Sequence, residues 1–341
     1  MATLWGIHNN QPELDLVGQG FISIGWDPIG DLRELKDDPV GLKAQIAAAY
    51  PAAKPGAIPV WAGVLNRFAF GMAQGDFVIS PNKADSTLNF GRVSGDYYWT
   101  ADAETHRHRR PVEWLRLGIP RARFSQSARY EIGSAVTLFT VKHHAAEFMA
   151  FINSGDAPPV PPPSSDESAA ISAEEEPNAE RISTFTHDFV IDTLYKNLGP
   201  HRFEEFAAGL LRAMGYRATA TPPSGDGGVD VIAHRDSLGL EPPIIKVQCK
   251  KTLNTIGGPD VQKLAGALAH GGAEVALFVT LGAYSSDAIR IERTRQDLRL
   301  INGTQLVNLV LEYYEVLDPE WKQLLPLRRV YVVDREPEGS A

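Results

Sequence analysis

Ile244-Ile245-Lys246-Val247-Gln248-Cys249-Lys250 reads as one strand in which apolar and polar residues alternate. With a side-chain period of two, Ile245, Val247 and Cys249 share one face and Lys246, Gln248 and Lys250 the other. A strand inside an α/β sheet is normally apolar on both faces, so three polar groups in a row call for either a solvent face or a site. A neighbour for it lies just upstream. Gly225-Asp226-Gly227-Gly228 turns into Val229-Asp230-Val231-Ile232, which sets one acid, Asp230, among branched apolar residues. A carboxylate there is costly unless something positive meets it. If the two strands pair, Asp230, Gln248 and Lys250 converge.

Working outward, 181–198 and 201–214 read as helices, the second stopped by Gly215. Pro259 opens a further helix that Gly271-Gly272 ends. Residues 274–281 form a buried strand, Ser285-Ser286 caps another helix, 299–301 is a short strand, and 304–314 is a last helix. Strand and helix alternate, which predicts an α/β domain with a mixed sheet flanked by helices. In the 201–214 helix Phe203, Phe206, Leu210 and Met214 share the core face. At about 100° per residue Glu204 sits at the edge of that face, while Glu205 points to solvent. Glu204 can reach a site at the sheet or merely favour the helix N-terminus.

The first half differs. Phe21-Ile22-Ser23-Ile24-Gly25-Trp26, Asp76-Phe77-Val78-Ile79-Ser80, Asn89-Phe90-Gly91-Arg92-Val93 and Pro111-Val112-Glu113-Trp114-Leu115 are short strands bounded by turn residues. Helices are expected near 41–49 and 142–152. This pattern predicts an α+β domain over 1–153, with a small curved sheet or barrel. Between the halves, 154–180 carries seven acids, no Lys or Arg, and six prolines. It offers little to bury and reads as an extended, semi-stiff linker to a second domain over 181–335.

The 341 residues suffice for two cores. The net charge of −9 falls to −2 without the linker, so local basic patches can still meet phosphates. Cys249, the single cysteine, excludes an intramolecular disulfide framework and a multi-cysteine zinc site. No apolar run reaches membrane-spanning length and no secretory signal pattern opens the chain, so a cytoplasmic protein without membrane association is expected.

Asp230 and the Gln248 amide oxygen are hard oxygen donors suited to Mg²⁺, and Lys250 beside them can orient water or stabilise charge on a phosphate. Lys246, Lys251 and Gln262 are candidate phosphate contacts. Cys249 is expected to face the core, which argues against a nucleophilic thiol. In the first half, Asp96-Tyr97-Tyr98-Trp99 precedes His106-Arg107-His108-Arg109-Arg110. Aromatic rings beside cations suit an extruded base next to its backbone, with Trp26, Tyr97 and Trp99 as candidate pocket residues and Arg107, Arg109 and Arg110 as candidate phosphate contacts.

Phe203-Glu204-Glu205-Phe206, Leu210-Leu211-Arg212-Ala213-Met214-Gly215-Tyr216, Gly225-Asp226-Gly227-Gly228-Val229-Asp230-Val231 and Val247-Gln248-Cys249-Lys250 together resemble the catalytic domain of Mrr-like restriction endonucleases, of the PD-(D/E)xK nuclease superfamily. Phe278-Val279-Thr280, Ser285-Ser286-Asp287-Ala288 and Leu300-Ile301-Asn302-Gly303 extend the resemblance over roughly 200–316. It implies that Asp230, Gln248 and the backbone carbonyl of Cys249 bind Mg²⁺ (or Mn²⁺) and that Lys250 is catalytic; Glu204, from its place on the helix, or the DNA phosphate itself can complete the coordination. Gln248 stands where many superfamily members carry Glu; the Mrr branch is known for Gln here. An amide in place of a carboxylate weakens the grip on a divalent ion.

More loosely, segments of 1–152 resemble EVE-like, PUA-related domains, which implies a reader of modified bases. The two resemblances together imply a modification-dependent, type IV-like restriction endonuclease acting on double-stranded DNA, as a homodimer or paired on DNA. Two alternatives remain at this point. One is a defence nuclease whose first domain senses a small molecule or protein and which cuts without specificity; the other is a binding module with an inactive nuclease fold.

Overall fold

The structure, a computed structural model, describes residues 2–9, 14–54, 56–82, 85–133, 136–154, 179–222, 228–268 and 274–331. Most of the expected linker (155–178), the Gly225-Asp226-Gly227 turn and the Gly271-Gly272 helix stop lie outside the described residues. In the first half the order is β1 (Leu4–Ile7), α1 (Leu16–Gln19), β2 (Phe21–Ile24), α2 (Pro39–Ala49), α3 (Ala57–Asn66), β3 (Phe77–Asn82), β4 (Thr87–Val93), β5 (Tyr98–Trp99), β6 (His108–Pro120), α4 (Gln126–Glu131), β7 (Leu138–Thr140) and α5 (Ala145–Ser154).

The strands form one sheet ordered β2-β6-β4-β3-β1-β7, with β5 also paired to β6. β6 bends it. Its first residues pair with β2 and its later ones with β4, with register shifts around Phe90 that add local twist. The result matches the expected α+β half with a curved sheet. Helix boundaries moved for local reasons. α2 starts at Pro39 because the Asp38 carboxylate accepts from the Gly41 amide and proline suits the first turn. α5 starts later than expected because the Glu131 carboxylate takes the amides of Lys142, His143 and His144.

The second half runs α6 (Ala179–Asn197), α7 (Pro200–Ala213), β8 (Arg217–Ala220), β9 (Val231–His234), β10 (Ile244–Lys250), α8 (Gly258–Gly266), β11 (Glu274–Thr280), α9 (Ser286–Arg293), β12 (Leu298–Ile301), α10 (Gly303–Glu312) and α11 (Pro319–Leu324). The sheet order is β12-β11-β10-β9-β8. β10, β11 and β12 are parallel, while β9 runs antiparallel to β10 and β8 antiparallel to β9. Val247 and Val279 on one face pack with residues of α6, α7 and α10; Phe278 and Leu300 on the other pack with α8 and α9. Fully burying each such side chain stabilises by about 1.5–3 kcal/mol. This is the mixed α/β sheet, covered on both faces, that the sequence predicts. No helix among the described residues is long and apolar enough to cross a membrane.

The halves touch. Arg121 and Arg129 of the first half face Asp188 and Asp192 on α6, and Ala122 packs on the core of the second half.

Candidate active site

β10 is the centre of the site. Val247 is fully buried on the α7 side, and Ile245 and Cys249 pack toward the same core. Lys246, Gln248 and Lys250 therefore project from the opposite face. In the β9/β10 ladder Val231 lies opposite Val247, and the Asp230 amide donates to the Val247 carbonyl at 2.7 Å. One step further puts Asp230 opposite Gln248, on the same face. The Asp230 carboxylate accepts from the Cys249 amide at 2.7 Å. The segment is pinned just past β8, where the Thr221 amide donates to the Asp230 carbonyl and its hydroxyl to the Val229 carbonyl.

Gly228 approaches Gln248 closely, with φ of 88°; a Cβ there would meet the Gln248 amide nitrogen at 2.9 Å. The Gln248 amide oxygen is buried and has no hydrogen-bond partner. A buried carbonyl oxygen without a donor is costly, and beside a carboxylate it marks a place where a cation would be welcome. Among the described residues no group of three His, Cys, Asp or Glu side chains stands ready to hold a metal. The donor set here is instead one carboxylate, one amide oxygen and a backbone carbonyl, all hard oxygens, and it fits Mg²⁺ or Mn²⁺.

The Lys250 ammonium pairs with the Asp260 carboxylate in the first turn of α8, at 2.9 Å, with both side chains about half exposed. Sequence reasoning missed Asp260; an acid in the first turn of a helix reads simply as a dipole partner. Glu204 lies on α7, 19 % exposed and 2.8 Å from His201. Burial pushes the Cys249 thiol well above its ordinary value, and the charges of Asp230 and Glu204 push it further. Glu205 is taken up by Arg202 and His201.

The flanking cations are engaged. Lys246 pairs with Glu274 at 2.7 Å, and Lys251 donates to the Tyr195 carbonyl at 2.8 Å while lying over its ring. Gln262 is exposed on α8.

In the first half the structure corrects the expected cationic run. Arg110 is 2 % exposed, and its guanidinium donates to the carbonyls of Phe68, Ala69 and Gly95. It caps an interior turn and cannot meet phosphate. Arg107 and Arg109 are half-buried over the Trp99 and Phe21 rings. Trp26 and Tyr97 are also buried in the core, so neither offers an open stacking face; Trp99 is half-buried, edge-on to His108. Burial drives the Tyr97 hydroxyl up to about 12 and pushes His106 and His108 down. Around these residues the backbone is strained: Trp26 and His106 have φ of 68° and 53°. The Asp27 carboxylate accepts from the His106 and Arg107 amides, and the His108 ring bonds the Trp26 carbonyl. Such strain persists only where surrounding contacts hold it and gathers at functional corners.

Comparison with known proteins gives two matches along the chain. Residues 195–310 match a family model described as "Restriction endonuclease". Residues 3–141 match one described as a domain of unknown function. The type IV methyl-directed restriction enzyme EcoKMrr of Escherichia coli (strain K12) is 34 % identical over 133 residues, covering 37 % of this chain and 43 % of that protein. The chain thus matches less than half the length of this relative. Among solved structures, the DNA modification-dependent restriction endonuclease AspBHI aligns over 78 % of this chain and 71 % of its own, at 18 % identity and a TM-score of 0.34. The MspJI restriction endonuclease in complex with a 27-mer oligonucleotide aligns over 81 % and 72 %, at 17 % identity and 0.34.

Proposed function

We propose that the chain is a modification-dependent DNA endonuclease, with a base-reading domain over 1–153, a tether over 154–180 and a metal-dependent nuclease domain over 181–335. The observation that carries this is the buried, partnerless Gln248 amide oxygen set opposite the Asp230 carboxylate. The restriction-endonuclease match over 195–310 supports it.

Asp230, Gln248 and the Cys249 carbonyl would hold the divalent ion, Mg²⁺ or Mn²⁺, with Glu204 adding negative charge from α7. The ion, when bound, supplies positive charge that polarises the scissile phosphate. Lys250, swung from Asp260, places its ammonium against the phosphate oxygens as charge builds in the transition state. Asp230 stays anchored through the Cys249 amide, so its carboxylate keeps its aim. Lys246, Lys251 and Gln262 flank the strand and meet the DNA backbone. In the PUA-related first half the strained corner around Trp26 and His106, with Trp99 and Arg107 on its surface, reads the modified base. Cutting both strands takes two such sites, which two copies of the chain provide.

Digestion of methylated, hydroxymethylated, glucosylated and plain duplexes, with and without Mg²⁺ or Mn²⁺, tests this. Cleavage confined to one modified form and dependent on metal is the expected result. Equal cutting of all forms would point to a non-specific defence nuclease instead, and no cutting of any form would end the hydrolase reading.

A further inference from the structure

The 154–180 segment, read alone, would let the second half range over DNA at the end of a tether. The interface between the halves argues otherwise. The Arg129 guanidinium is 3 % exposed and lies 2.6 Å from Asp192 and 3.4 Å from Asp188; Arg121 lies 3.3 Å from Asp188 and donates to the Arg129 carbonyl. His187 of α6 faces the Ser86 hydroxyl at 3.5 Å. Around these charges Ala122 of the first half packs on the core that holds Ile191 and Leu281, and a small cavity between the halves is lined by Pro120, Ile191, Leu281 and Ala283.

Buried ion pairs add little net stability over apolar packing, but pulling one partner away is costly because it strands a desolvated charge. Such a cluster therefore selects one arrangement of the two halves over neighbouring ones. The interface also sits close to the chemistry. The Thr255 hydroxyl donates to the Gly118 carbonyl, and Thr255 is five steps along the chain from Lys250, about 18 Å of fully extended chain at most.

We propose that Arg121 and Arg129, closed on Asp188 and Asp192, fix the displacement between the base-reading corner and the scissile phosphate. Cleavage then falls at a set distance from the modified base, and the tether length does not enter. This rests on the modification-dependent reading above.

The test uses the full chain on an end-labelled duplex carrying one modified base, with Mg²⁺. Alongside, the distance between labels on Val40→Cys and Val316→Cys, both at exposed positions, is measured without DNA. Wild type should give one dominant cut position, and the labelled protein with an intact Arg–Asp cluster one narrow distance. The isosteric pair Asp188→Asn and Asp192→Asn should scatter the cuts and broaden the distance while keeping dependence on the modification. A glycine-serine insert within 154–180 should leave the cut position unmoved. A cut that shifts with the insert, or scattered modification-dependent cuts by wild type, would overturn the inference and leave the function reading standing. A narrow distance broadened by the double variant, with no cleavage of any DNA, would sink the function reading and retain the clamp between the halves.

Discussion

Replacing Lys250 by alanine pulls apart two quantities of very different size. In the resting structure its ammonium pairs with Asp260, and the two side chains are 46 % and 48 % exposed. An ion pair that open to water contributes about 0–1 kcal/mol. Each kcal/mol shifts the melting temperature of a domain of 150–250 residues by about 2–4 °C, so the variant should melt no more than about 4 °C lower. Its role against the scissile phosphate is another matter. Removing one well-placed group that stabilises developing charge costs about 2.7–4 kcal/mol, or a factor of about 10²–10³ in rate. Single-turnover cleavage of a modified duplex at saturating metal, run beside calorimetric melting, reads both. Asp260→Ala, which removes the partner but keeps the lysine, should match the small melting shift and lose far less activity. A Lys250→Ala rate within about tenfold of wild type, or a collapse in melting temperature that accounts for the lost rate, would refute the assignment.

Three further outcomes follow from other features. Gln248→Glu adds a second carboxylate opposite Asp230; it should lower the melting temperature without metal and reduce the Mg²⁺ needed for half-saturation by about tenfold, roughly 1.4 kcal/mol, measured by calorimetric titration. Because burial and the nearby carboxylates raise the Cys249 thiol, almost no thiolate exists at pH 8. Alkylation there should be far slower in the native protein than in urea, and equal rates would contradict the core-facing placement of this half-buried thiol. Gly209 packs against the Trp321 indole, leaving no room for a Cβ. Overpacking of about 1–3 kcal/mol then outweighs a helix-propensity gain of up to about 1 kcal/mol. Gly209→Ala should thus lose about 1 kcal/mol in urea unfolding, and a stabilised variant would show that the close approach relaxes freely.

β10 was readable from sequence to the residue because alternation with a period of two has one interpretation when the opposite face is core. The Ser285 cap was readable too, since its hydroxyl accepts from the Ala288 amide as the local pattern suggests. Other features were hidden by physics that a linear pattern does not carry. α3 is apolar around most of its circumference and lacks a polar stripe to announce it. β8, Arg-Ala-Thr-Ala, is too short and too weakly branched to stand out, yet Thr221 just past it holds Asp230 in place. Asp260 meets Lys250 only once α8 folds back beside the strand. Arg110 looked solvated because its neighbours in sequence are charged, whereas two of its three carbonyl partners lie more than forty residues upstream. The docking of α6 on the first half depends on Arg121 and Arg129, which sit in a stretch with no amphipathic period.

Arg110 ties the order of folding to three distant segments. Residues Arg67–Gly71 form a π-helical turn whose widened backbone presents the Phe68 and Ala69 carbonyls to one planar guanidinium, which also reaches Gly95. A lysine, with a compact ammonium on a flexible stem, cannot span three such acceptors. Helix end, loop and central strand must therefore assemble together, since none can satisfy its polar atoms alone. Contacts this distant in sequence are slow to form, so the curved sheet should be the late, all-or-none event in the maturation of the chain, well after the helices have begun to coil.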